Sequence, residues 1–242
     1  MNDQPQKLST RLGRAIREEI SALILQRGLR SGDPLPTETE LVEALGVSRN
    51  SIREALKGLQ ALDIVDIRHG HGTYVGGLSL EPLADGLTFR VLHGLRNDMR
   101  SLEEIVEVRE ALEEALIRRV TPTIPETDLD ALDEVLERMS ARAEEGATFA
   151  DEDMQFHEVL YRSLDNALVT QLLRAFWSVY QRVNHRLGVT DPDPPETVNR
   201  HRAIVTALRE RDVARAEKAM AEHFRNLDVR IAQVARQQQV MD

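Results

Sequence analysis

Residues 35–75 carry so many local structural instructions at such close spacing that few folds can satisfy them together. Pro34 and Pro36 keep the backbone extended, and Thr37 followed three residues later by Glu40 is a capping box, so a helix should start near Glu38. Leu41, Val42 and Leu45 give that helix an apolar stripe, and Gly46 stands where a left-handed C-terminal cap forms most easily. After a turn at Gly46-Val47, Ser48 can cap a second helix. This one buries Ile52, Leu56 and Leu59 and turns Arg49, Asn50 and Arg53 outward at its N-terminal end. Residues 64–67 and 73–75 are short β-prone runs around a Gly-rich turn, which predicts a hairpin with Arg68, His69 and Gly70 at its tip. Helix, tight turn, helix and ribbon in that order describe a winged helix-turn-helix, whose second helix enters the DNA major groove. Arginine pairs bidentately with guanine and asparagine with adenine, each contact worth roughly 1–3 kcal/mol of discrimination. Ser48 is placed to meet a phosphate. Two arginines on an arbitrary helix would be merely solvated; here caps, turn and ribbon all agree.

Upstream, Leu8, Leu12, Ile16, Ile20, Leu23 and Ile24 recur at helical spacing, so a helix over about 8–27 should complete the core of this small domain. Gly76-Gly77-Leu78-Ser79 reads as a linker, which divides the 242 residues into domains 1–78 and 79–242. Beyond it the periodicity predicts helices near 81–96, 101–119, 127–145, 149–164, 167–188, 196–210 and 212–237, with no strand-like alternation. The fold class expected is therefore mainly α: the winged domain followed by an all-α antiparallel bundle.

Charge separates the two halves. Residues 1–78 hold ten basic and ten acidic residues, so the whole net charge of −10 belongs to the remainder. DNA affinity should then depend on a few placed arginines, with the acidic body opposing non-specific phosphate contact. No run of about 18 apolar residues offers a membrane span, and the N-terminus has no apolar signal segment, so a cytoplasmic location is expected. With no cysteine, any metal must be held by imidazole and carboxylate.

The acidic half contains five of the seven histidines. Asp153 and His157 stand four apart and so share one helix face; His201 heads the stripe His201, Ile204, Val205, Leu208; His223 belongs to Ala216, Met220, His223, Leu227, Ile231. Three helices thus each turn a ligand-type side chain inward, where an unpartnered polar group costs about 1–3 kcal/mol. Core histidines satisfied by carbonyls and acids would explain any one of them. A divalent metal, zinc foremost, with nickel, manganese or iron also fitting, would explain them together and leave positions open for a ligand. Trp177, with Phe176 and Tyr180, reads as bundle core or dimer contact.

The residues Leu35-Pro36, Glu38, Glu40-Leu41, Gly46-Val47-Ser48-Arg49, Ile52-Arg53-Glu54-Ala55-Leu56, Leu59, Gly72 and Val75 resemble the DNA-binding domain of the GntR family of bacterial regulators. The resemblance implies DNA contacts at Ser48, Arg49, Asn50, Arg53, His69 and Gly70; position 39, arginine in some relatives, is Thr39. Asp-x-x-Phe-His at 153–157, then Asn166, His201 with Ala207, and Ala216 with His223 resemble the effector-binding FCD domain of the FadR subgroup. That resemblance implies Asp153, His157, His201 and His223 as metal ligands, and Arg109 with Asn166 as effector-binding residues. Arg109 could instead be a surface residue paired with Glu113 at i, i+4, and Asn166 a loop cap.

These readings converge on a ligand-responsive regulator, a repressor of a metabolic operon and not an enzyme. It would act as a homodimer on a short inverted repeat of double-stranded DNA and sense a small organic acid at a metal. The rivals are a metal-dependent enzyme acting on small acids, fused to a DNA-binding module, and a constitutive architectural DNA binder.

Overall fold

The computed structural model describes residues 4–94, 100–187 and 191–225, with side chains from residue 11 onward. It contains two compact units, Met1–Pro82 and Leu83–Asp242.

The first unit runs α1 (Gln4–Gln26), α2 (Glu38–Leu45), α3 (Arg49–Gln60), β1 (Val65–Arg68) and β2 (Gly72–Val75). The capping box forms: the Thr37 hydroxyl accepts from Glu40 N–H at 3.3 Å while Thr37 N–H donates to the Glu40 carboxylate at 2.7 Å. Gly46 ends α2 with φ 65°, the left-handed cap that a side chain would strain. Ile16, Ile20 and Ile24 of α1 join Leu41, Ile52, Leu56 and Leu59 in one core. The inward stripe of α1 begins at Ile16, because Leu12 is 50% exposed, and the Leu8 side chain lies outside the described residues. The strands pair antiparallel from Val65↔Val75 to Arg68↔Gly72, leaving residues 69–71 as the turn. The outer edge of β2 is not bare: Gly32 N–H donates to Val75 O at 2.9 Å and Leu35 N–H to Thr73 O at 2.8 Å.

The stretch read as a linker, residues 76–79, is pinned to Asp63 and Ile64. Gly76 N–H donates to Ile64 O at 2.9 Å, Leu78 N–H to Asp63 O at 3.0 Å, and the Asp63 carboxylate accepts from Gly77 N–H at 3.3 Å and Ser79 N–H at 2.8 Å. A side chain at position 76 would place its Cβ 2.4 Å from Asp63 O, so only glycine permits this approach. Composition signalled a linker because glycines are common there; the structure uses one of them for close packing. The division between units accordingly falls after Pro82, somewhat beyond residue 78.

The described residues of the second unit form helices joined by short loops, with no strand among them: α4 (Glu81–Gly94), which begins two residues before the division, α5 (Arg100–Val120), α6 (Glu126–Glu144), α7 (Ala150–Tyr161), α8 (Ala167–Leu187), α9 (Pro194–Arg209) and α10 (213–225). All seven expected helices are present, while the expected ends at 96, 188 and 237, with Leu227 and Ile231, lie outside the described residues. Helix α9 starts earlier than the proline cluster suggested. Proline is tolerated in the first turn, where its missing N–H has no partner to lose, and Asp193 caps the helix through Glu196 N–H at 3.2 Å. Helix α6 packs against α7 and α9, and α5 and α8 pack against α7. Leu129, Leu132 and Met139 of α6, Phe156 and Leu160 of α7, and Ile204 and Leu208 of α9 are fully buried between them. Each such side chain contributes about 1.5–3 kcal/mol. Helix α7 is thus covered on several sides, and a polar residue on its inner face must find its partners there.

Candidate DNA interface and candidate metal centre

The N-terminal end of α3 is exposed, as a groove-reading surface requires. The Ser48 hydroxyl caps α3 by accepting from Ser51 N–H at 3.1 Å. Arg49 donates through Nη2 to the Thr39 hydroxyl at 3.0 Å, and Arg53 through Nε to both carboxylate oxygens of Glu38, at 3.0 and 2.9 Å. Both arginines are therefore steadied by the start of α2, a contact across the turn that periodicity could not reveal. Asn50, His69 and Gly70 are exposed, with His69 and Gly70 in the turn of the wing. Arg68 lies over the Tyr74 ring at 4.2 Å and donates to Asp66 at 2.8 Å, so it belongs to the body of the wing.

In the helical unit, packing brings four distant residues to one point. Asp153 and His157 from α7, His201 from α9 and His223 from α10 each offer a ligand atom, and these atoms all lie within 4.8 Å of one another. Local geometry decides which ring nitrogens are offered. His201 Nδ1 donates to Thr197 O at 2.8 Å, one turn back on the same helix, and its Nε2 lies 2.9 Å from Asp153 Oδ1. His157 Nδ1 donates to Glu113 Oε2 at 2.5 Å. A carbonyl or ionised carboxylate can only accept, so each of these Nδ1 atoms carries a proton, which turns Nε2 of His157 and His201 toward the cluster, that of His201 against the Asp153 carboxylate. His157 Nε2 is fully buried and has no hydrogen-bond partner.

Electrostatics match that reading. Burial pushes the His223 pKa well below the ordinary 6.5, and repulsion from His201 and His157 adds to it, so this imidazole stays neutral and keeps a lone pair. Burial opposes charge on Asp153, yet its bond to His201 and the nearby cations hold its carboxyl well below the ordinary range. Burial works against Glu113 too, but His157 and Arg109 outweigh it and hold the group at about 2. A neutral His223 imidazole, an ionised Asp153 carboxylate and the orphaned buried Nε2 of His157, gathered with His201, form a donor set that fits a divalent metal with bonds of about 2.0–2.2 Å.

Two protein-family models match the chain: bacterial regulatory proteins of the gntR family over residues 12–75, and the FCD domain over residues 104–226. The chain belongs to the GntR family. This GntR-family regulator is 29% identical over 189 residues to the galactonate operon transcriptional repressor of Escherichia coli, spanning 78% of the chain and 82% of that relative. It is 28% identical over 227 residues to the transcriptional repressor NanR of Cronobacter sakazakii, spanning 90% of the chain and 84% of that relative. Among solved structures it is similar to Streptococcus agalactiae GntR, with TM-score 0.66 and 26% identity over 91% of this chain and 99% of that one. The family and these relatives are DNA-binding transcriptional regulators, not enzymes, which sets the enzyme rival aside. Among the described residues no helix is long and apolar enough to cross a membrane.

In the regulator's helical domain, Arg109 is not the surface residue that its i, i+4 spacing to Glu113 allowed. It is 5% exposed, donates through Nε to Glu113 Oε1 at 2.7 Å and lies over the Phe224 ring at 5.4 Å. Glu113, fully buried, bridges Arg109 and His157; its spacing to Arg109 was visible in the sequence, but its contact with His157 was not. Asn166 is exposed, and its side-chain oxygen accepts from Leu168 and Val169 N–H at 3.2 and 3.4 Å. Those are the contacts of a helix cap at the start of α8, and the structure does not bring Asn166 together with the histidines. Trp177 is half-buried, and its Nε1 donates to Asp153 Oδ2 at 3.2 Å, so it supports a candidate ligand and is not plain core. The same indole, with Leu92, Gln181 and Arg186, lines a cleft of about 870 Å³.

Proposed function

We propose that this regulator is a repressor whose grip on operator DNA is relieved by a small organic acid bound at a metal in the helical domain. Asp153, His157, His201 and His223 would hold the metal, zinc foremost, with nickel, manganese or iron as alternatives. The observation that carries this reading is the buried, partnerless Nε2 of His157 facing three other ligand atoms. When bound, the metal supplies a Lewis-acidic position for a carboxylate oxygen. The chain's own residues do the rest. Arg109 offers a guanidinium from a buried site, Glu113 and Thr197 fix the ring orientation of His157 and His201, and Trp177 steadies Asp153. The similarity to a galactonate operon repressor points the same way, galactonate being a small hydroxy acid.

On DNA, Arg49, Asn50 and Arg53 would read bases, Ser48 a phosphate, and His69 and Gly70 of the wing the neighbouring groove. A cytoplasmic homodimer would set two such surfaces on an inverted repeat. Effector and operator are then coupled through the dimer, and the coupling is reciprocal. The test is a thermal-shift screen of zinc-loaded and chelated protein against hydroxy, keto and sugar acids, followed by operator binding with each hit. Zinc should raise the midpoint, an acid should raise it further and weaken operator binding, and His201→Ala should lose the zinc effect while still binding DNA. Equal operator affinity with and without a bound acid would end the proposed coupling.

A further inference from the structure

The cleft beside Trp177 belongs to the helical domain and takes no part in the acid-sensing reading. One face of α8 lines it: Trp177, Gln181 and His185 recur every four residues, and Arg182 and Arg186 form the neighbouring row. Leu92 near the end of α4 and Asp151 in the first turn of α7 complete its walls. Its volume of about 870 Å³ is that of a small-molecule site, for which about 300–1,000 Å³ is usual. Arginines elsewhere in this domain are mostly held by acids, as Arg174 is by Glu158 and Arg209 by Asp133, and within the cleft Arg182 is held by Asp85. The other polar groups of the cleft are not held. Among the described residues the side chains of Asp151, Gln181, His185 and Arg186 make no hydrogen bond or ion pair, and Asp151 and Arg186, though opposite in charge, do not bridge to one another. The Trp177 N–H already donates to Asp153 Oδ2 at 3.2 Å, so the indole offers the cleft its apolar ring, together with the side chains of Leu92 and Leu187.

We propose that this cleft is a ligand site separate from the metal centre, and that it takes a free α-amino acid with an apolar side chain. An unpaired cation, an unpaired anion and an apolar wall in one concavity are the complement of such a zwitterion. The ligand's carboxylate meets the Arg186 guanidinium, whose planar fork suits two oxygens, and its ammonium meets the Asp151 carboxylate. Its side chain lies on the Trp177 ring and the neighbouring leucines, where the loss of apolar surface from water favours it. Both charges of the ligand are then answered by the protein. A simple acid would satisfy Arg186 but bring a second anion toward Asp151, and a simple amine would satisfy Asp151 but set a second cation against Arg186.

Trp177 is the chain's only tryptophan, so its fluorescence reads the site directly. The experiment titrates full-length protein with L-leucine and with L-phenylalanine, follows the indole emission, and measures the same dissociation constants by calorimetry. At least one of the two should give a saturable change. The matching acids without the ammonium, 4-methylpentanoate and 3-phenylpropanoate, and the matching amines without the carboxylate, 3-methylbutylamine and 2-phenylethylamine, should bind about tenfold or more weakly. Asp151→Asn and Arg186→Gln alter exposed side chains that hold nothing else in place, and each should weaken the amino acid by about tenfold. In Asp151→Asn the amino acid and its matching acid should bind almost equally. Binding should survive treatment with a chelator, because none of the four candidate metal ligands lines the cleft. No saturable change with either amino acid, a matching acid or gluconate that binds wild type as tightly, or affinities unmoved by both substitutions would overturn the assignment. Loss of binding on chelation would place the ligand at the metal and overturn a separate site, while zinc binding itself would still stand.

Discussion

In the winged unit Arg53 meets Glu38 at 2.9 Å with both side chains open to water; in the helical unit Arg109 meets Glu113 at 2.7 Å with neither open. The chemistry of the two pairs is the same and their surroundings are not. An exposed pair contributes about 0–1 kcal/mol, so Arg53 can exchange Glu38 for a phosphate or base at little cost. A buried pair cannot be opened cheaply, because each partner would be left as an uncompensated charge. The first arrangement suits a surface that must release its internal contacts to take up DNA. The second suits a rigid frame that holds ligand atoms in place before any ligand arrives.

The sharpest way to break this comparison is to delete one acid from each pair. Glu113→Ala should lower the unfolding free energy by about 3–5 kcal/mol, whereas Glu38→Ala should cost less than about 1 kcal/mol. Urea unfolding of the full chain, with Trp177 reporting on the helical unit, checks both; equal losses would mean that burial does not separate the pairs. The reciprocal test is in binding. Arg49→Ala should leave stability within about 0.5 kcal/mol of wild type, yet cost about 1–3 kcal/mol in discrimination between selected operator and scrambled DNA. A uniform loss on both DNAs would reduce Arg49 to a phosphate contact. The smallest expected effect concerns Asp63. Hydrogen bonds from the Ser79 hydroxyl and N–H hold its carboxyl below the ordinary 3.8. A carboxyl lowered on folding contributes stability above its unfolded value and loses it as pH falls through its folded one. Amide exchange at Ser79 should therefore accelerate as pH drops below 3.8, after correction for intrinsic rates, and Asp63→Asn should remove that step. An unchanged profile in Asp63→Asn would show that the strap is held by backbone contacts alone.

The winged unit was legible in the sequence because its instructions are local. The Thr37 and Glu40 box, the Gly46 cap and the Ser48 cap are each decided within four residues, and each formed as expected. The histidines were legible one helix at a time, since a four-residue spacing or an apolar stripe tells which face a residue occupies. Their meeting within 4.8 Å was not, because no spacing rule relates α7, α9 and α10. The same limit explains three shifts of role. Arg109 read equally well as surface or buried, Trp177 read as bundle core or dimer contact, and Gly76 read as part of a linker, because partners far away in sequence decide each case.

Taken by itself, the sequence determined what short-range forces determine: the helices, the caps of the winged unit, the hairpin, the inward face of the main apolar stripes, and the confinement of excess acid to one half. Only the tertiary structure decided which polar groups meet: Glu113 between Arg109 and His157, Asp153 between His201 and Trp177. The physical reason is that helix and turn formation depend on neighbours along the chain. The charge state and donor geometry of a buried cluster depend on which chains of contact exclude water, and packing alone settles that.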